Sequence, residues 1–201
     1  MCHYAWHALR TPRSLAEEEN KPIALAWIDA ALEALRDRPD DEVTVAALET
    51  NFRLPRGSVD AVSVLSIFRT FVLARAIIAE SERWFYDVTD ADAVALFGSE
   101  DAIPPAYAIF GNGIYFTSRF DRFGPLCRSA MVVHEAVHVF DPRSGEPAIH
   151  ISEWDEPRFS SQTIAQSIHN PSSYASFSAQ VFEGRVDWPR DARPGAGSPN
   201  R

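Results

Sequence analysis

The run Met131-Val-Val-His-Glu-Ala-Val-His-Val-Phe140 constrains this chain more than any other stretch. Two histidines stand four residues apart with a glutamate beside the first, and every other position is apolar. On a helix, residues four apart are separated by about 40° around the axis and about 6 Å along it. The His134 and His138 imidazoles then point the same way and can share one tetrahedral zinc ion. A helix this apolar belongs to an interior, and two imidazoles and a carboxyl inside a protein need partners, of which a metal is the most economical. Glu135 falls about 100° from His134, beside such a metal and outside its shell. It is placed to take a proton from a metal-bound water, whose pKa falls to about 7, and to return it to a leaving amine. The expectation is His134 and His138 as metal ligands and Glu135 as general acid and base.

A catalytic zinc keeps three protein ligands and one open position, so a third ligand must come from elsewhere. The metzincin spacing, which requires Gly and His at the next two fixed positions, is absent: Asp141 and Ser144 stand there. The nearest candidates are His150, Glu153, Asp155 and Glu156 in Ala148-Ile-His-Ile-Ser-Glu-Trp-Asp-Glu-Pro-Arg-Phe159. A carboxylate about 15 residues beyond His138 can return to the metal once the helix has ended, and spacing does not choose among them. Asp141, three residues past His138, reads as a turn or cap carboxylate.

The rest of the chain reads as a mainly helical α+β domain, zincin-like, with a β-hairpin ahead of the motif helix. Residues 1–20 form a flexible N-terminus in which His3 and His7 are incidental. Residues 21–100 form a helical scaffold region, 101–186 the metal-bearing core, and 187–201 a disordered tail rich in Pro, Gly and Arg. A helix starts near Pro22, with Ile23, Trp27, Ala30 and Leu35 on its apolar face. A second covers about Val43–Asn51, where the β-branched Val43, Thr44 and Val45 leave a strand as the alternative. A third, capped by Ser58 or Asp60, runs to about Arg83 with Val62, Leu65, Ile67, Phe68, Phe71, Leu73, Ile77 and Ile78 supplying its core. Gly111-Asn112-Gly113 between two short aromatic runs is a hairpin signature. The motif helix spans Leu126–Phe140, and two helices, roughly Ser160–Ile168 and Ser172–Glu183, close the chain, the last begun by Asn170-Pro171 with Ser172 or Ser173 in capping.

A net charge of −9 and a pI near 5.1 exclude a basic footprint for nucleic acid or for anionic membranes. The apolar run Val59–Ile78 is broken by Arg69 and Arg75 and reads as a buried scaffold helix, so no membrane partner is expected. Two widely separated cysteines, Cys2 and Cys127, read as reduced thiols, Cys127 as a small buried hydrophobe. The N-terminus carries no charged-then-apolar signal pattern. The expected location is the cytoplasm, or export by a route that reads no such signal.

From about Tyr107 to Glu183 the chain resembles the aspzincin metallopeptidases, deuterolysin and the peptidyl-Lys metalloendopeptidases. Three pieces carry the resemblance in order: a hairpin and motif helix (GNGIYFTSRF, MVVHEAVH), an acidic loop, and a last helix opened by His169-Asn-Pro-Ser-Ser-Tyr-Ala-Ser-Phe177. The resemblance implies a zinc-dependent peptidase acting on peptide or protein substrates. Its Gly-Thr-x-Asp-x-x-Tyr-Gly ligand motif is not matched here. Laying His150-Ile-Ser-Glu153 over it puts Glu153 at the ligand position, ahead of Asp155 and Glu156. The family's oxyanion-steadying Tyr has no counterpart at its own position, and Tyr174, His150 or His169 are the candidates to replace it, Tyr174 first.

Overall fold

The computed structural model describes residues 11–13, 20–57 and 60–188. Most of the expected flexible N-terminus, the Ser58 cap and nearly all of the expected tail lie outside them. Within that N-terminus, Thr11 and Pro12 pair with Asp87 and Tyr86 and Arg13 bonds Asp87, so residues 11–13 are held to the sheet and are not loose as expected. The chain order is β1 (Thr11–Pro12), α1 (Asn20–Asp37), α2 (Glu42–Phe52), α3 (Ala61–Ala79), α4 (Ser81–Trp84), β2 (Phe85–Asp87) and α5 (Asp90–Phe97). It continues with β3 (Ala106–Ile109), β4 (Gly113–Phe116), α6 (Pro125–Phe140), α7 (Glu156–Ser160), α8 (Ile164–Ser167) and α9 (Pro171–Glu183). The described chain is mainly helical with one small sheet, an α+β arrangement.

Local chemistry sets the helix boundaries. Asp41 and Asp60 each take two backbone N–H groups at the starts of α2 and α3, and Thr163 and Gln166 form a reciprocal capping box on α8. Gly184, at φ 67°, ends α9 in the left-handed conformation that glycine adopts without strain. The long apolar stretch after Asp60 stops at Ala79, short of the expected Arg83, and Ser81–Trp84 forms a separate turn leading into β2.

The last helix is the centre of the molecule. Residues 171–181 of α9 are all buried, and α1, α2 and α6 pack around them. Four serines and two alanines in this stretch keep the helix thin enough for three neighbours to approach, while Tyr174 and Phe177 fill the gaps. Phe52 from α2 and Phe71 from α3 meet both rings at centroid separations of 5.0–5.7 Å. Asn51 donates to the Gln180 side chain at 2.8 Å, and Ser167 to the Phe52 carbonyl at 2.8 Å. The scaffold stretch 21–100 and the motif-bearing stretch therefore share one core.

By length and hydropathy α3 would pass as a membrane span, contrary to the sequence expectation that its arginines interrupt it too often. In the fold its Ile67, Phe71, Ala74, Ile77 and Ile78 point into the common core, and Arg75 pairs with Asp29 of α1. Val62, Leu65 and Leu73, expected in that core, are exposed, because only one face of the helix meets α1 and α6.

The sheet has the order β1-β2-β4-β3, with β2 parallel to β4 and the other pairs antiparallel. The hairpin β3–β4 was legible from Gly111-Asn112-Gly113; the strand Phe85–Asp87 beside it was not. Its pairing brings the Trp84 carbonyl within 2.6 Å of where a Cβ on Gly113 would sit, so only glycine fits there. Phe85, Ile114 and Phe116 face the helices, while Tyr86, Tyr115 and Tyr107 stack on the other face at 5.4 and 5.2 Å. Arg13 closes the far edge, bonding Asp87 at 2.6 Å and Asp121 at 2.7 Å over the rings of Phe116 and Phe120.

Candidate metal centre

The motif lies on α6, which begins at Pro125 and packs one face on α1, α3 and α9. Val132, Val133, Ala136, Val137 and Val139 are buried, so the helix cannot rotate without exposing them. That fixes the direction of the remaining face, where His134, Glu135 and His138 emerge half-buried. The free edge of the hairpin runs beside them: Gly111 donates its N–H to the Val139 carbonyl at 2.7 Å, and the Ala108 N–H donates to the Glu135 carboxylate.

His134 and His138 meet a third imidazole, His150. The three rings form a near-equilateral triangle with every centroid pair 5.0 Å apart. Their Nε2 atoms converge, 2.9 Å between His134 and His150 and 3.2 Å between His134 and His138. Ligand nitrogens about 2.05 Å from a tetrahedral zinc stand about 3.3 Å from one another, close to these separations. Burial lowers all three imidazole pKa values, that of His138 to about 4, and the neighbouring rings add to the effect on His134 and His138. Neutral imidazole is the form that binds metal, so the donor set fits a divalent cation of zinc type. Among the described residues, this trio is the group of metal-ligating side chains close enough to hold one ion.

Glu153, the ligand favoured by the resemblance, is not in the trio. It is buried in the wall of the same cavity, close enough to Cys127 for its charge to act on the thiol. The reason lies in the loop. Ile149 and His150 both donate to the Glu146 carbonyl at 2.8 Å, a tight turn that brings His150 back over the histidine pair. The chain then runs along α6 toward its N-terminal end, and Glu153 arrives over Cys127, two helical turns before His134. Asp155 and Glu156 lie at the start of α7, where Asp155 pairs with Arg158.

Tyr174 does not reach the cavity. Its ring packs among Phe52 and Phe71, and its hydroxyl donates to the Ile168 carbonyl at 2.6 Å. Burial raises its pKa further, so the phenol stays protonated. Asp141 is a turn carboxylate, accepting from the Arg143 N–H at 2.9 Å and bonding His169 Nδ1 at 2.7 Å. His169 is thereby a strut between α6 and the α8–α9 junction.

Three polar groups support the trio, a role the sequence did not assign to any of them. Ser144 Oγ lies 2.7 Å from His138 Nδ1, and Ser172 Oγ lies 3.4 Å from His134 Nδ1. Asn170 caps α9 through Ser172 N–H and donates to the Ile151 carbonyl at 2.7 Å, tethering the loop that carries His150. The sequence places the start of this helix at Asn170-Pro171 with Ser172 or Ser173 as cap; Asn170 itself is the cap, and its second bond depends on a loop 19 residues away that leaves no sequence signal.

The cavity above these groups is about 320 Å³, bounded by Pro105 and Ala106 of the hairpin, Met131 and Glu135 of α6, and Ser152 and Trp154 of the loop. Burial pushes the Glu135 carboxyl up to about 8. Burial, with the charge of Glu153 second, pushes the Cys127 thiol up to about 11, and it remains a neutral wall residue. Set against protein-family models, curated proteins and solved structures, the chain finds no match in any of the three comparisons.

Proposed function

We propose that this chain is a zinc-dependent peptidase of aspzincin-like character, with His134, His138 and His150 as the ligand set and Glu135 as general base. The observation that carries the reading is the convergence of three neutral imidazole nitrogens beside a carboxyl of raised pKa, with His134, His150 and Glu135 lining one cavity. When bound, zinc would lower the pKa of a coordinated water and polarise a substrate carbonyl. Glu135, held by the Ala108 N–H, is oriented to accept a proton at its carboxylate and to pass it on to a leaving amine. Ala106, on the free edge of β3, lines the cavity, so an extended peptide can pair its main chain there while its bond is presented to Glu135. The motif helix flanked by an edge strand supports the zincin-like reading of the fold.

The test uses the full chain loaded with zinc and a set of quenched fluorescent peptides. Cleavage should be abolished by a chelator, restored by zinc, and lost in Glu135→Gln with zinc retained. A protein that holds no stoichiometric zinc, or that retains it after both His134 and His138 become alanine, refutes the proposal.

One observation favours a second reading, a catalytically degenerate zinc-binding module that acts as an interaction or effector protein. The Tyr174 hydroxyl is spent in the core, and the hydroxyls that line the cavity are those of Ser152 and Ser172. In that case Glu135→Gln leaves every measurable property of the zinc protein unchanged except its stability.

A further inference from the structure

We infer that Ser144 is a positioning residue that fixes the tautomer of His138 and so presents its Nε2 lone pair to the metal; this rests on the metal-centre reading above. Ser144 lies six residues beyond His138, in the turn that follows α6, and is fully buried. Its hydroxyl has one proton, which it donates to the Asp141 carbonyl at 2.6 Å. The same oxygen lies 2.7 Å from His138 Nδ1. With its own proton committed, the Ser144 oxygen can only accept there, so His138 must carry its proton on Nδ1. The neutral ring then has its lone pair on Nε2, the atom that faces His134 at 3.2 Å and completes the triangle with His150.

The Asp141 carbonyl is the fixed end of this relay. Asp141 ends α6, its N–H given to the Val137 carbonyl at 3.0 Å, and its carboxylate is held by Arg143 N–H and His169. The carbonyl that orders Ser144 is therefore anchored from both sides. A ligand histidine whose second nitrogen is held in this way keeps its ring orientation and gains basicity, and losing the outer partner typically weakens metal binding about 10–100-fold.

Two measurements on the full chain decide the matter. In the metal-free protein, long-range ¹H–¹⁵N correlation spectra should show His138 as the Nδ1–H tautomer. In Ser144→Ala that signal should move toward the Nε2–H form or a mixture. Zinc affinity, read by competition with a chromogenic chelator, should fall about 10–100-fold in Ser144→Ala and recover in Ser144→Thr, which keeps the hydroxyl. An Nε2–H tautomer in the wild type overturns the inference whatever the variants do. So does a Ser144→Ala protein that binds zinc within about twofold of wild type. A wild-type protein that binds no zinc refutes the metal-centre reading instead, and the tautomer spectrum still reports separately whether Ser144 sets the ring.

Discussion

Replacing Glu135 by glutamine should make the metal-free protein more stable while removing the proposed peptidase activity. In the unfolded chain this carboxyl titrates near 4.5, whereas burial in the folded protein raises it to about 8. A group whose folded pKa is raised contributes its full stability below the unfolded value and loses it as pH rises through the folded one. At pH 7 folding must therefore protonate a glutamate that the unfolded chain would ionise. At 1.36 kcal/mol for each of 2.5 pH units, that costs about 3 kcal/mol as an upper bound. The cavity is open and Glu135 only half-buried, so an effect of about 1–3 kcal/mol is expected. Glutamine keeps the oxygen that accepts the Ala108 N–H, so the substitution removes the ionisation without removing the bond. Urea unfolding of chelator-stripped wild type and Glu135→Gln at pH 5 and pH 8 reads the difference. The variant's advantage should be under about 1 kcal/mol at pH 5, still above the unfolded value, and grow to about 1–3 kcal/mol at pH 8. Peptide hydrolysis by the zinc-loaded variant should fall about 10²–10⁴-fold, the usual worth of a general base. A pH-independent difference, or a wild type more stable than the variant at pH 8, would refute the claim that this carboxyl is held against its own solvation.

Other outcomes follow from the same geometry. His150→Ala should weaken zinc binding by on the order of 100-fold or more, beyond an outer-partner loss, while Glu153→Gln changes it little; equal effects in a chelator competition would return Glu153 to the ligand set. Tyr174→Phe should cost about 1–3 kcal/mol in denaturant unfolding, through the Ile168 carbonyl left unpaired, with kcat unchanged; a tenfold fall in kcat with zinc retained would bring the phenol back into catalysis. The metal-free protein should lose stability on acidification. The lowered His138 pKa contributes stability that is complete above 6.5 and is lost as pH falls through about 4, worth up to about 3 kcal/mol, and thermal melts across pH 4–7 read it. Gly113→Ala should destabilise by several kcal/mol, because its Cβ meets the Trp84 carbonyl at 2.6 Å; a melting temperature within about 2 °C of wild type would show that β2 and β4 can part cheaply.

The sequence announced those parts of the site whose geometry is local. His134, Glu135 and His138 share one helix, so their relative directions follow from helical periodicity alone. The hairpin was legible for the same reason, since Gly111-Asn112-Gly113 dictates the turn within three residues. His150 stood among several candidates and Glu153 was preferred to it on the resemblance, because the place of His150 depends on the turn at Glu146 and on Asn170 reaching across to Ile151. Tyr174 was taken for a donor from its position in the resemblance, yet a residue on the molecule's central helix is claimed by packing first. The strand Phe85–Asp87 escaped notice because three residues carry too little alternation to distinguish a strand from a turn.

The burial of α9 on every side has a consequence for how the chain is made. Helices α1, α2 and α3 leave the ribosome with apolar faces whose partner is the last helix of the described fold. Phe177 follows Phe52 by 125 residues, an interval of about 6–25 s at ordinary rates of about 5–20 residues per second. Throughout that time Phe52 and Phe71 lack the rings they pack against, so the nascent chain commits late and depends on whatever shields it meanwhile.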